Sequence, residues 1–155
     1  MCSSDLTGVT PGTATITITS DDYQYTGNIT VGAGTTTLPP ITVQSTYPTS
    51  AEDVIRAFYK AINDHDYEKA ATYATGHLTA DFIRMQFEPY IKSVTVTEII
   101  RHPEWDYGGP PMYEVHFNAE YIKHYEAGSG NLLTVHQLKQ DEAGHWKVAG
   151  IATGP

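Results

Sequence analysis

Seven histidines stand in this chain of 155 residues, and two of them lie where a metal could be held. His116 and His136 fall on consecutive strand-like segments, and Glu114 lies two positions before His116. Two imidazoles and one carboxylate are a sensible ligand set for zinc or iron. Against that, His116 sits among Glu114, Asn118 and Glu120 on a polar face, where charged side chains are normally just solvated. No tight spacing such as H-E-x-x-H occurs either. The simpler expectation is no metal and no cofactor. His65, His77, His102, His124 and His145 lie in turns or at segment ends and read as surface residues. Trp105, Asp106, Tyr107 and Met112 flank Gly108-Gly-Pro-Pro111, a loop able to clasp a ligand. The favoured alternative is a hairpin connection pinned by Pro and Gly, with Trp105 packed down on the domain. Phe58, Ile62, Phe87, Tyr113, Phe117 and Trp146 are the apolar set. They form a core, or they line a pocket if the interior is open. As core, Trp146→Ala would cost about 3–5 kcal/mol. Asn28-Ile-Thr30 is a glycosylation sequon, a match that arises often by chance.

The charge balance narrows the partners. Lys and Arg total 9 against 18 Asp and Glu, a net charge of −9. Such a chain repels phosphate backbones, so no nucleic acid is expected. No run of about 18 apolar residues occurs, so no membrane-spanning segment is expected. One cysteine excludes a disulfide framework and a Cys-based zinc site. The basic residues are unevenly spread: residues 1–55 contain no Lys, Arg or His, and the first is Arg56. Residues 44–49, a polar stretch with Pro48, therefore read as a linker between two parts.

The first part reads as strands. Ala14, Ile16 and Ile18 alternate with Thr residues, and Asn28–Val31 and Leu38–Val43 are short further candidates. Three short strands are too few for an independent sandwich, which needs about seven. Leu6-Thr-Gly-Val-Thr-Pro-Gly-Thr13, Ile16-Thr-Ile-Thr-Ser20, Tyr23, Asn28-Ile-Thr-Val31 and Thr35-Thr-Thr-Leu38 resemble the C-terminal half of PEGA and carboxypeptidase-regulatory-like domains. That resemblance covers about residues 6–43 and implies a truncated β-sandwich fragment over residues 7–43. Met1-Cys-Ser-Ser-Asp-Leu6 matches the translation of GTG TGC TCT TCC GAT CTN, which is similar to sequencing-library adapter. Residues 1–6 are thus expected to be an artefact of a truncated metagenomic reading frame. The rival reading is a lipoprotein with Cys2 as its mature start; in neither is Cys2 catalytic.

The second part opens with the clearest helix. Ala51, Val54, Ile55, Phe58 and Ile62 share one helical face. Ser50 precedes it as N-cap, and Glu52 and Asp53 fill the first turn, where the helix dipole favours carboxylates. Asp66 is the N-cap of a second helix that buries Tyr67, Ala70, Ala71 and Ala74 and ends at Gly76. A third helix follows Thr79 and runs to about Ile91, burying Phe82 or Ile83, Phe87, Tyr90 and Ile91. Strands then span Val94–Ile100, Met112–Ile122, Asn131–Gln140, reached through Gly128-Ser-Gly130, and His145–Ile151. In the second of these, Tyr113, Val115, Phe117, Ala119 and Tyr121 alternate with polar residues, so one face is covered and one wet or at an interface. The fold class is α+β, with three helices packed on a curved, mainly antiparallel four-stranded sheet.

Phe58-Tyr-Lys-Ala-Ile-Asn-Asp-His-Asp-Tyr-Glu-Lys-Ala-Ala-Thr-Tyr73 and Gly144-His-Trp-Lys-Val-Ala-Gly-Ile151 resemble the nuclear transport factor 2-like superfamily, over residues 50–153. The resemblance implies a cone-shaped domain, here residues 50–155, of a kind that hosts ketosteroid isomerases and SnoaL-like cyclases and dehydratases. It also hosts many non-catalytic binding and dimerisation modules. In the isomerases a tyrosine of the first helix lies eight residues before the aspartate that opens the second. Here that aspartate matches Asp66, and Phe58 stands at the tyrosine's place. Tyr59 is one position away and therefore points about 100° aside. Asp81 falls near the isomerase base, with a plain alternative as a carboxylate stabilised by the third helix's dipole.

The leading expectation is non-catalytic. It is an extracellular accessory domain for small-ligand binding or homodimer formation through the sheet face, in a secreted or cell-surface prokaryotic protein. The alternative is an isomerase, cyclase or dehydratase acting on a small hydrophobic substrate, with Asp81 and Tyr59 as acid–base candidates.

Overall fold

A computed structural model describes residues 12–20, 23–32, 44–122 and 130–152. The chain divides into two units, Met1–Tyr47 and Pro48–Pro155. In the first, β1 (Gly12–Ser20) pairs antiparallel with β2 (Tyr23–Val31), and β2 with the two-residue β3 (Gln44–Ser45). β2 begins five residues earlier than the Asn28 start expected, because Tyr23-Gln-Tyr-Thr-Gly continues the ladder from Ser20↔Tyr23 to Ile16↔Gly27. Leu38–Val43 and residues 1–6 lie outside the described residues.

The second unit is α+β, with three helices and a four-stranded antiparallel sheet. α1 (Ala51–Asn63) starts where Ser50 Oγ accepts the Asp53 N–H at 3.0 Å. Its expected face is buried, and Tyr59 and Ala61 are buried with it. The buried arc is wide because α1 packs against both the sheet and the second helix. α2 (Tyr67–Thr72) is capped by Asp66, whose Oδ1 accepts the Lys69 N–H at 3.0 Å. It ends before the expected Gly76. Tyr73 O accepts the Val148 N–H at 2.9 Å, and the Thr75 N–H donates to Val148 O at 3.0 Å, so Tyr73–Thr75 lie along a strand instead. Gly76, at φ +68°, serves the turn that follows.

α3 (Ala80–Phe87) is capped by Thr79 and buries Ile83. It too is shorter than expected, because Pro89 has no N–H to extend the helical ladder. Ile91 opens a strand, Tyr90 is exposed and Phe87 is half-buried. The sheet is a meander of β4 (Ile91–Arg101), β5 (Met112–Tyr121), β6 (Gly130–Gln140) and β7 (Trp146–Ala152). Along β5, Tyr113, Val115, Phe117 and Ala119 are buried, as their alternation requires. At the β6–β7 turn, Asp141 Oδ1 accepts the N–H groups of Ala143 and His145, both at 2.9 Å, and Gly144 takes φ +83°. No helix among the described residues is long and apolar enough to cross a membrane.

Candidate functional site

The inner face of β5 and β6 carries a polar pair within apolar walls. Tyr113 pairs with His136 in register, so the imidazole shares the face of Tyr113, Val115 and Phe117 and is fully buried. Tyr59, from α1, lies against it, with its Oη 3.0 Å from His136 Nε2. The Tyr59 ring stacks on Phe117 at 5.4 Å and meets Phe58 edge-on at 5.4 Å and Phe87 at 6.4 Å. Thr134 completes the group, its Oγ1 3.4 Å from both Tyr59 Oη and His136 Nδ1.

Burial dictates the protonation. With no carboxylate acting on it among the described residues, desolvation pushes His136 down to about 3, against a weaker backbone hydrogen bond to Thr134. That bond calls for a proton on Nδ1, beside Thr134. Nε2 is then the acceptor of the Tyr59 O–H. Burial raises Tyr59 well above the usual phenol range, opposed by its hydrogen bond to Thr134. At neutral pH both groups are uncharged.

The other sequence candidates are dispersed. Asp81 stands in the first turn of α3 with its side chain 94% exposed, ion-paired to Arg84 at 3.3 Å. Tyr59 is 2% exposed, so the structure does not bring these two together. Phe58, Ile62, Tyr113 and Phe117 are buried, whereas Phe87 and Trp146 are half-buried. His116 pairs with Leu133, on the face opposite His136, so those two imidazoles do not meet. The companion of His116 is Glu114, at 2.5 Å, and the other oxygen of Glu114 lies 3.3 Å from His102 Nε2. His102 is not the surface residue expected: it stacks on Trp105 at 3.6 Å, with 20% of its side chain exposed. Among the described residues no three His, Cys, Asp or Glu side chains form a group able to hold a metal. The Gly-Pro loop is tied down, since Asp106 pairs with Arg101 and accepts the Met112 N–H at 2.9 Å. His124 lies outside the described residues.

A groove of about 280 Å³ runs between α1 and β4, lined by Arg56, Tyr59, Lys60, Asn63, Val94, Thr95 and Val96. Sequence reasoning did not single out Arg56, Lys60 and Asn63, which lie off the apolar face of α1. Only the adjoining strand, placed by tertiary contacts, turns that side into a wall.

The chain matches no family model, no curated protein and no solved structure.

Proposed function

We propose that the second unit is a non-catalytic accessory domain of the nuclear transport factor 2-like type, serving small-ligand binding or homodimer formation. In this reading the curved sheet and three helices make the cone. The Thr-rich strands ahead of it belong to a PEGA-like sandwich, and the whole is displayed on a prokaryotic cell surface. One observation carries the non-catalytic part. The interior polar groups, Tyr59 and His136, hydrogen-bond each other in neutral form, while Asp81 is on the surface. General acid–base catalysis needs a base whose protonation is poised near the working pH and which reaches the substrate. Neither Asp81 nor His136 meets both conditions. For pairing, the outer sheet face offers Leu133, an exposed aliphatic residue, beside His116 and Glu98.

Native mass spectrometry of the whole chain, beside its denatured mass, tests the proposal. A dimer that Leu133→Glu converts to monomer is the expected result. A monomer retaining a neutral hydrophobic molecule through gel filtration would overturn it in favour of the isomerase, cyclase or dehydratase reading.

A further inference from the structure

The groove between α1 and β4 differs from the rest of the surface in its charge. Most cations whose pairing is described have a carboxylate: Lys60 has Asp64, Arg84 has Glu68 and Asp81, Lys92 has Glu120, Arg101 has Asp106, and Lys147 has Asp141. Arg56 has none among the described residues, although the chain carries twice as many acids as bases. Among the described residues its only side-chain hydrogen bond is from Nη1 to Val96 O, at 3.4 Å, leaving most of its donor fork unused. Among the described residues no Asp or Glu lines the groove. Lys60 adds a second cation one helical turn along, partly neutralised by Asp64, and Thr95 adds a hydroxyl.

The edge position matters too. β4 ends the sheet, and a free edge is a template for another strand. In the groove, however, two of the edge groups are already occupied. Asn63 Oδ1 accepts the Val94 N–H at 2.9 Å, and Arg56 covers Val96 O. Register irregularities at Ile91/Ser93 and Val96/Glu98 interrupt the rest of the ladder. An extended peptide therefore finds little backbone to pair with, whereas a small anion finds an unpaired guanidinium. Of the remaining lining residues, Val96 is half-buried and offers apolar surface, while Tyr59 and Val94 form a nearly buried floor. The volume equals roughly nine waters at liquid density, the scale of a small aromatic or aliphatic acid.

We infer that this groove binds a small organic carboxylate, with Arg56 holding the carboxylate and the half-buried Val96 as the main apolar wall for its body. A planar guanidinium suits a carboxylate because two parallel N–H···O bonds form at once. The inference rests on the ligand-binding part of the proposed function and gives that ligand a chemical class.

Phenylacetate and its neutral isostere phenylacetamide, titrated into the whole chain by nitrogen–proton NMR, test it. Phenylacetate should saturate shifts of the Thr95 and Val96 amides, with the amide binding about tenfold or more weakly. Arg56→Gln should weaken phenylacetate by a similar factor and leave the thermal midpoint of the unliganded protein in place, because Arg56 is exposed. Added salt should weaken the acid and not the amide. Equal binding of acid and amide, an unchanged Arg56→Gln variant, absence of saturable binding, or shifts mapping away from β4 would each overturn the inference. A dimer that ignores phenylacetate would sink this inference alone. A hydrophobic ligand held inside a monomer would sink the broader proposal and leave the groove standing.

Discussion

Tyr59 and His136 are 77 positions apart and meet at 3.0 Å, joining the middle of α1 to the inner face of β6. The contact puts a hydroxyl and an imidazole inside an apolar wall, where each is the other's nearest polar partner. A buried polar group left without a partner loses its hydration and regains nothing. The pair is therefore matched: the phenol donates and the unprotonated imidazole nitrogen accepts. It also fixes which face of α1 is turned inward, since rotating the helix would strand both groups.

Removing the hydroxyl isolates the imidazole. Tyr59→Phe keeps the ring against Phe117 and Phe58 and leaves Nε2 without its donor. Stability should fall by about 1–3 kcal/mol, the cost of an unsatisfied buried acceptor. Urea unfolding of the variant beside the parent chain measures it. His136→Leu combined with Tyr59→Phe should recover part of the loss, because both ends of the bond are then apolar. A double variant as weak as the sum of the two single ones would mean the residues do not act as a pair.

Acid should expose the same site. In the fold His136 takes a proton only near pH 3, whereas in the unfolded chain it does so near its ordinary value of 6.5. Between those values the unfolded state binds more protons, so stability rises with pH across that window. The contribution is complete above about pH 6.5 and is lost progressively as pH falls toward 3. From pH 7.5 to pH 5 it amounts to about 2 kcal/mol. Urea midpoints at the two pH values should show that loss in the parent chain and a smaller one in His136→Gln, which cannot charge. Identical pH dependence in both proteins would show that His136 is protonated, or exposed, in the native state.

Which features were readable in the sequence follows from how local their causes are. α1 was legible because its cap, first-turn acids and apolar spacing all lie within thirteen residues. β5 was legible because Tyr113, Val115, Phe117 and Ala119 face a core while their neighbours do not. The ends of α2 and α3 were not. α2 stops where Val148 claims the next residues, whereas α3 stops at Pro89, a local signal that the apolar spacing outweighed. The burial of His136, named only as a metal candidate, was hidden for a related reason. Val135 and His136 are both buried, so β6 is covered on both faces there and the period of two disappears. Tyr59 was expected to point about 100° aside, which assumes a narrow buried stripe that two packing partners have widened.

Two aromatic candidates for the core should separate on truncation. Phe58 is wholly buried between α1 and the sheet, so Phe58→Ala removes a ring and leaves a cavity. It should cost about 3–5 kcal/mol. Trp146 belongs to the same predicted set but opens β7 beside the β6–β7 turn, where it is only half-buried. Solvent can fill the space left by Trp146→Ala, and the cost should stay near about 1–2 kcal/mol. Paired urea denaturation curves decide between a single continuous core and one that thins toward this end of the sheet. A Trp146→Ala loss matching that of Phe58→Ala would extend the tightly packed core to the start of β7. A negligible loss would make Trp146 a surface residue available to a partner.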